Sequence, residues 1–295
     1  MKKTIFKGVA TAIITPLGET GIDFDAFGKL IDAQIAAGVN AIVVCGTTGE
    51  CSTLNDEEHC AAIEYCVKRV NKRIPVIAGT GSNDTAYAVW LTKEAEKAGA
   101  DAALVVTPYY NKTTQKGLIK MFETIADATK LPLILYNVPS RTGVNIEPDT
   151  YAALSKHPNI VAIKEANGNI SKMVETVAKV GDALDLYSGN DDQIVPILAL
   201  GGKGVISVLS NVAPKETVEI CDRFFSGDIK GSMALQAKYN ELISLLFCET
   251  NPIPVKAAMA KLGWCEDYLR LPLVPMEDEH RKKLYAEMDR LGIKA

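Results

Sequence analysis

The chain has 295 residues, of which 47% are hydrophobic and 23% are charged, a composition that is ordinary for a soluble globular protein and excludes disordered and collagen-like chains. Its 32 Lys and Arg residues and 36 Asp and Glu residues give a net charge of −4. Since no block of like charge stands out, we expect no electrostatic recruitment to nucleic acid or to an anionic membrane.

Eight short apolar runs recur along the chain and are too brief for helices. They start roughly 20 to 34 residues apart, which is the size of a strand-helix-strand unit. Each run is continuously hydrophobic, as is typical of strands that are covered on both faces. We therefore predict eight buried strands. In chain order the runs begin near Val9, Ala41, Pro75, Ala102, Pro132, Ile160, Leu184 and Gly204.

The segments between these runs carry helical signals. From Ile63 to Val70, apolar residues follow the i, i+3, i+4, i+7 spacing of one helix face. Asn55, followed three residues later by Glu58, predicts a capping box at the start of that helix. Similar apolar stripes cover 24–35 and 118–125, and the glycines expected to end helices are Gly38 and Gly99.

Eight strand-helix repeats in one chain predict an α/β fold, a closed (β/α)8 TIM barrel, with an open doubly wound sheet as the alternative. The open nucleotide-binding sheet needs G-x-G-x-x-G after its first strand, where this chain has TPLG at 15–18. We assign the catalytic barrel to 1–227. The remaining residues, 228–295, show helical patterns separated by Pro-rich joints. We expect this C-terminal helical region to pack on the outside of the barrel or to build an interface.

The seven cysteines and three histidines have no motif spacing. Neither a C-x-x-C pair nor an H-E-x-x-H motif occurs, so the sequence predicts no zinc site and no disulfide framework. The positive start at Lys2 and Lys3 is not followed by the apolar stretch of a signal peptide, and no run approaches the ~20 apolar residues of a membrane span. Together with free thiols, these features favour the cytoplasm.

Lys164 stands at the end of the sixth predicted strand. Barrel enzymes place their chemistry at the carboxyl ends of the strands, so we expect its ammonium to project into the barrel mouth beside apolar walls. Desolvation there lowers a lysine pKa and leaves some neutral amine, which Schiff-base chemistry on a ketone requires. A charged pair of Lys164 and Glu165 at a solvated strand end fits the sequence equally well.

Four more side chains near predicted strand ends are candidates for chemistry. Tyr136 can move protons to and from a Schiff-base intermediate, or it can be an aromatic residue that lines the barrel rim. Thr47 and Thr48, in the turn at 46–50, can hold a carboxylate through hydroxyl and backbone N–H groups, although a plain glycine turn also fits. Arg141 can bind a second carboxylate bidentately or can be an unpaired surface arginine.

These residues belong to motifs that resemble those of the dihydrodipicolinate synthase family, and the similarity runs nearly from end to end. Two of these motifs, GTTGE at 46–50 and IKEA at 163–166, are shared with a wider superfamily of pyruvate-lysine lyases that includes N-acetylneuraminate lyase. The arginine-containing loop after Tyr136 and the double tyrosine at 109–110 look specific to the synthase. The motifs are GTTGE at 46–50, YNVPSRTG at 136–143 and IKEA at 163–166, with further similarity in TPYYN at 107–111, NPIPVK at 251–256 and LRLPL at 269–273.

The resemblance implies a condensation of pyruvate with L-aspartate 4-semialdehyde, at the branch that leads to diaminopimelate and lysine. It implies that Lys164 forms a Schiff base with pyruvate and that the derived enamine attacks the aldehyde. Tyr136 is then the acid and base, linked through Thr47 to Tyr110, which in the family comes from a neighbouring subunit. Since the iminium is the electron sink, no metal and no organic cofactor is implied. The implied substrate-binding residues are Arg141 for the semialdehyde carboxylate and Thr48, Gly189 and Ile206 for pyruvate.

The resemblance also implies a homotetramer, built as a dimer of dimers, and it shows one departure from the family. Members inhibited by lysine bind it between subunits through a His, a Glu, an Asn and a Tyr. Here His59, Asn83 and Tyr109 match, but Tyr87 stands at the glutamate position and Asp56 replaces a basic or imidazole residue. Without the carboxylate that pairs with the ligand's ammonium, a charge-assisted hydrogen bond is lost. We therefore expect weak or absent inhibition by lysine.

Two other functions remain open from the sequence. A retro-aldol lyase of the same superfamily, such as N-acetylneuraminate lyase or a 2-keto-3-deoxy sugar acid aldolase, would keep Lys164 and Tyr136 but would not need Arg141 or Tyr110. A non-catalytic barrel that binds small carboxylates is the other alternative. The intact set of Lys164, Tyr136 and Thr47 argues against it, because a binding module has little use for a proton relay.

Overall fold

The computed structural model describes residues 2–294, and within them eight parallel strands form a closed barrel. Each predicted apolar run supplies one barrel strand. The predicted (β/α)8 barrel is therefore confirmed, and the alternative of an open doubly wound sheet is wrong. The strands are β1 (Gly8–Ala12), β2 (Leu17–Gly18), β3 (Gly21–Ile22), β4 (Ala41–Val44), β5 (Val76–Gly79), β6 (Ala102–Val106), β7 (Leu133–Asn137), β8 (Ile160–Glu165), β9 (Asp185–Ser188) and β10 (Gly204–Ser207).

Neighbouring barrel strands pair in chain order from β1 and β4 through β10, which pairs with β1 and completes the ring. Side chains fill the interior and helices cover the exterior, so a strand such as β8 is buried over its whole length. Phe6 stacks on Tyr187 inside the barrel, with ring centroids 4.2 Å apart. The hairpin β2–β3 lies outside the ring and was not predicted, because two-residue strands are too short to give a hydrophobic period.

Helices follow the strands and begin and end where the local sequence provides caps. The predicted capping box at Asn55 and Glu58 is confirmed, since each side chain accepts the other residue's backbone N–H. Gly99 ends its helix with a left-handed φ of 89°, as predicted for a glycine C-cap. The helices are α1 (Phe24–Ala36), α2 (Asp56–Val70), α3 (Thr85–Ala98), α4 (Gln115–Asp127), α5 (Pro139–Thr142), α6 (Pro148–Leu154), α7 (Ile170–Val180), α8 (Ile194–Ala199), α9 (Pro214–Phe225), α10 (Ile229–Leu245), α11 (Ile253–Lys261) and α12 (Asp278–Leu291).

The chain beyond α9 is helical and folds back onto the barrel. α10 packs against α9, and α12 packs against both α10 and α11. The connection between α10 and α11 reaches the carboxyl ends of the barrel strands, where it contributes to the site described below. The boundary at 227/228 falls in the turn between α9 and α10, and we keep the two-part division as a proposal. No helix within residues 2–294 is long and apolar enough to cross a membrane.

Candidate active site

A cavity of about 730 Å³ opens at the carboxyl ends of the barrel strands, the end at which barrel enzymes carry their chemistry. Its wall is completed by residues 247–251, which connect α10 to α11. Six of the eight predicted catalytic and substrate-binding residues therefore share one cavity. The predicted site residues that line it are Thr47, Thr48, Tyr136, Arg141, Lys164 and Gly189.

Lys164 and Tyr136 are neighbours because β7 and β8 pair in a register that sets them opposite each other. The Nζ atom of Lys164 lies 4.2 Å from the centroid of the Tyr136 ring. The lysine is only 7% exposed. Burial lowers the pKa of Lys164 to about 8, an effect that the charge of Asp191 opposes and that of Arg141 reinforces. The amine is therefore partly neutral near neutral pH and can act as a nucleophile.

The phenol of Tyr136 is buried beside that amine. Burial raises the pKa of Tyr136 to about 12, although the charge of Arg141 and a hydrogen bond with Thr47 oppose the rise. The hydroxyl consequently keeps its proton at neutral pH and can donate it to an oxygen that develops charge next to Lys164. Lysine nucleophile, phenol and threonine hydroxyl thus form one connected group.

The turn after β4 presents the two threonines. Thr47–Gly49 forms a single 3-10 turn, in which the Gly49 N–H donates to the Gly46 carbonyl at 3.0 Å. A Cβ on Gly49 would lie 3.2 Å from both the Ile13 carbonyl oxygen and the Thr15 hydroxyl, so the segment after β1 leaves little room for a side chain at this position. Thr48 is buried within this turn.

Asn251, in the connection between α10 and α11, contacts two of the carboxylate-binding candidates, Thr48 and Arg141. The Asn251 side-chain amide donates to Thr48 Oγ1 at 3.1 Å, and Arg141 Nη2 donates to the Asn251 carbonyl at 3.1 Å. Arg141 itself lies on the short helix α5 and is exposed at the mouth. Asn251 had no predicted role. Its motif was quoted in the family resemblance, but spacing alone does not show that a residue 110 positions from Arg141 contacts it.

Two further pocket candidates lie at different depths. Gly189 lines the cavity, and a Cβ there would lie 2.8 Å from the Cβ of Ala166. Its N–H donates to the Glu165 carbonyl at 2.7 Å. Ile206 lies deeper, in the apolar layer inside the barrel that also includes Tyr136, and is not among the cavity-lining residues in the described part of the chain.

Tyr110 is not brought to Thr47 within one chain. It is 91% exposed and has a left-handed φ of 70°, on the loop after β6. Neither Tyr110 nor the neighbouring, also exposed Tyr109 lines the cavity of the described chain. The expected relay from Tyr136 through Thr47 to Tyr110 is therefore not formed within the one described chain.

Of the four residues predicted for the lysine site, His59, Asn83 and Tyr87 make polar contacts within the chain, and Tyr109 is exposed. His59 is buried, and its Nε2 lies 2.9 Å from the Gly79 carbonyl oxygen. Burial lowers the pKa of His59. Tyr87 donates a hydrogen bond to Asp56 Oδ1 at 2.7 Å. The carbonyl of Asn83 accepts from Asn111 at 2.9 Å.

Glu165 does not mark a solvated strand end, so the alternative interpretation of the Lys164–Glu165 pair is wrong. Successive strand residues point to opposite faces, and both side chains are buried. Glu165 accepts hydrogen bonds from Asn137 Nδ2 at 2.9 Å and from the Tyr151 hydroxyl at 2.8 Å. Burial raises the pKa of Glu165 to about 7, although these hydrogen bonds oppose the rise.

Asp191 is a functional candidate that the sequence analysis missed. It is buried just after β9, and its Oδ2 accepts the N–H groups of Val208 at 3.0 Å and Leu209 at 2.9 Å. Its charge raises the pKa of Lys164. The strand-end rule that selected Lys164 would have found it. Within residues 2–294, no cluster of three or more His, Cys, Asp or Glu side chains is arranged to hold a metal ion.

Comparison with known proteins gives a consistent family assignment. The model of the dihydrodipicolinate synthetase family matches residues 5–291. The chain is 56% identical to 4-hydroxy-tetrahydrodipicolinate synthase of Alkaliphilus oremlandii, over 98% of this chain and 100% of that protein. It is 52% identical to the enzyme of the same name from Acetivibrio thermocellus, over 99% of this chain and 100% of that one.

A solved structure agrees with these sequence relatives. The chloride-inhibited dihydrodipicolinate synthase from Acinetobacter baumannii, in a crystal structure complexed with pyruvate, superposes with a TM-score of 0.96 at 44% identity. The match covers 98% of this chain and 100% of that one. The fold similarity therefore extends over the barrel and the C-terminal helices alike.

Proposed function

This chain belongs to the dihydrodipicolinate synthetase family, and we propose that it condenses pyruvate with L-aspartate 4-semialdehyde to give 4-hydroxy-tetrahydrodipicolinate. It is an enzyme of the lyase class that acts in diaminopimelate and lysine biosynthesis. The observation that carries the proposal is the buried amine of Lys164 next to the phenol of Tyr136 in the cavity. The pyruvate complex of the Acinetobacter baumannii relative supports pyruvate as the first substrate.

The first step joins pyruvate to Lys164. The neutral amine attacks the keto carbon, and the amine proton moves to the former carbonyl oxygen to give a carbinolamine. Tyr136 donates a proton to the hydroxyl group as it leaves as water, and the nitrogen lone pair forms the C=N bond of the iminium. The buried position of both groups supports these roles, because a neutral amine and a protonated phenol coexist there near neutral pH.

The second step forms the carbon–carbon bond. The Tyr136 phenolate left by the first step accepts a methyl proton and converts the iminium to an enamine, whose carbon attacks the aldehyde carbon of the semialdehyde. The resulting alkoxide takes this proton back from Tyr136. Arg141 holds the carboxylate of this second substrate, as its exposed guanidinium at the cavity mouth supports. The amino group of the semialdehyde then attacks the iminium carbon, and the bond from this carbon to Lys164 Nζ breaks. The ring closes as a cyclic imine, the released proton returns to Tyr136, and Lys164 is freed as the neutral amine.

The pyruvate carboxylate binds at the turn after β4. Thr48 Oγ1 accepts a hydrogen bond from Asn251, so its hydroxyl proton is available to donate to a carboxylate oxygen. Gly189 leaves room beside the Schiff base, and Ile206 supplies the apolar floor. The assignments of Thr48 and Gly189 rest on the cavity geometry, and that of Ile206 rests on the family resemblance and on its place in the apolar layer inside the barrel.

The proton relay from Tyr136 through Thr47 is completed by Tyr110 of a neighbouring subunit. The exposure of Tyr110 in the single chain supports a role across an interface. We accordingly propose a homotetramer that is a dimer of dimers. We place the protein in the cytoplasm, because its seven cysteines are free thiols.

The proposal is tested by mixing the protein with pyruvate and sodium borohydride and mapping the modified peptide by mass spectrometry. We expect one pyruvate-derived adduct, on Lys164, and none in a folded Lys164→Arg variant, whose guanidinium stays protonated. Turnover of L-aspartate 4-semialdehyde is then compared with cleavage of N-acetylneuraminate and of 2-keto-3-deoxy sugar acids. A clear preference for a sugar acid, or a folded wild-type protein without an adduct, would contradict the proposed function.

A further inference from the structure

A buried ion pair next to the threonine turn joins the barrel to the C-terminal helices. Glu50 directly follows the threonine turn, and Lys256 lies on α11. Lys256 Nζ is 2.7 Å from Glu50 Oε1, and both side chains are completely buried. The same Nζ donates to the Thr15 carbonyl at 2.7 Å. The mechanism above uses neither charge.

The backbone of Glu50 is the last link of the turn that carries the threonines. Its N–H donates to the Thr47 carbonyl at 3.1 Å, and its carbonyl accepts from the Thr53 N–H at 3.0 Å. Its φ of 56° lies in the left-handed region, which is unfavourable for a residue with a Cβ and persists where surrounding contacts impose it. The contact with Lys256 fixes the Glu50 side chain and therefore constrains this conformation.

The same C-terminal segment contacts the turn a second time. Asn251, two residues before the start of α11, donates a hydrogen bond from its side-chain amide to Thr48 Oγ1 at 3.1 Å. Lys256 lies on the first turns of α11, five residues further along the chain. The turn that holds Thr47 and Thr48 is thus attached at two points to the segment 251–256, by the Asn251 amide at Thr48 and by the Lys256 charge at Glu50.

Such a pair is poorly explained by stability alone, because the desolvation of two charges offsets much of their attraction and apolar replacements are often neutral. We propose that Glu50 and Lys256 are positioning residues that hold the Thr47–Thr48 turn in the geometry that binds the pyruvate carboxylate. This inference rests on the proposed function. Misplacement of a binding group by about 1 Å is enough to reduce reactivity strongly, so release of the turn should weaken pyruvate binding.

The test removes both charges at once, so that neither is left buried without its partner. In the Glu50→Gln, Lys256→Met double variant, the pyruvate concentration that gives half-maximal borohydride-trapped adduct on Lys164 is measured together with the melting temperature. We expect this concentration to rise about tenfold or more, as for a displaced binding group. At saturating pyruvate, we expect full modification of Lys164, because the nucleophile is untouched.

Lys261→Met is the matched control, since this lysine lies on the same helix and pairs with Asp289 at 2.7 Å near the surface. It should leave the pyruvate dependence unchanged. If the double variant does not fold, the Glu50→Gln, Lys256→Gln double variant is measured instead, because it also removes both charges and leaves two amides that can hydrogen-bond to each other. A raised half-saturating pyruvate concentration that persists at a lower temperature, where the variant is fully folded, supports positioning.

A folded variant whose half-saturating pyruvate concentration stays within twofold of wild type overturns the inference and leaves a purely structural role. Failure of this inference is distinguishable from failure of the proposed function. In the first case the wild-type protein forms the adduct on Lys164 and the variant matches it, whereas in the second the wild-type protein forms no adduct at all.

Discussion

The ammonium of Lys164 lies over the ring of Tyr136, 4.2 Å from its centroid. An aromatic ring face attracts a cation, whereas burial in the barrel favours the neutral amine. Burial has the largest influence on the pKa of Lys164, which falls to about 8. Both protonation states are therefore accessible within the pH range of ordinary assays.

We predict that the rate of adduct formation with pyruvate rises with pH and levels off above about pH 8, because only the neutral amine attacks. Asp191→Asn removes a negative charge that raises this pKa, so the midpoint of the rising limb should move to lower pH. The measurement is the borohydride-trapping rate at subsaturating pyruvate as a function of pH. Asp192→Asn, at the exposed neighbouring residue, is the control. A midpoint that moves upward in Asp191→Asn contradicts the prediction.

Tyr136→Phe should lower kcat by about a hundredfold or more, because a positioned proton donor contributes a factor of this size. The ring and its packing remain, so the melting temperature should change little. Steady-state kinetics with both substrates provide the measurement, and Tyr239→Phe, at another buried tyrosine, is the control for loss of a hydroxyl. A Tyr136→Phe variant with more than half of the wild-type kcat would assign the proton transfers to another group.

The fold was predictable because most barrel strands are short apolar runs that recur at the spacing of a strand-helix-strand unit, and several of the intervals have a helical period. The positions of Lys164, Tyr136 and the threonine turn were predictable, because each lies at the carboxyl end of a predicted strand. Asn251 was not, because its contacts with Thr48 and Arg141 depend on how the C-terminal segment folds back over the barrel. Spacing along the chain carries no such information.

Glu165 provides a prediction about stability. Its pKa is about 7 in the folded protein and 4.5 in an unfolded chain, so between these values the unfolded state binds fewer protons and the free energy of unfolding falls as pH rises. The loss is about 1.4 kcal/mol for each unit of pKa difference, and it is complete above about pH 7. Below about pH 4.5 the contribution is fully present.

Glu165→Gln cannot ionise, so the stability of wild type relative to this variant should fall across that pH range. Urea unfolding of both proteins at several pH values measures the difference, and Glu279→Gln, at an exposed glutamate, should show no comparable trend. A constant difference between wild type and Glu165→Gln would mean that Glu165 is ionised in the folded protein throughout.

Inhibition by lysine should be weak or absent, because Tyr87 has no carboxylate to pair with the ammonium of a bound lysine. The carboxylate of the nearby Asp56 does not replace it freely, since its Oδ1 already accepts the Tyr87 hydroxyl at 2.7 Å. Initial rates measured against lysine concentration test this, with half-maximal inhibition expected only above the millimolar range. In Tyr87→Glu, Asp56→His, which supplies a carboxylate and removes the neighbouring negative charge, inhibition should strengthen. Submillimolar inhibition of the wild-type enzyme would show that another group in the chain binds the ammonium.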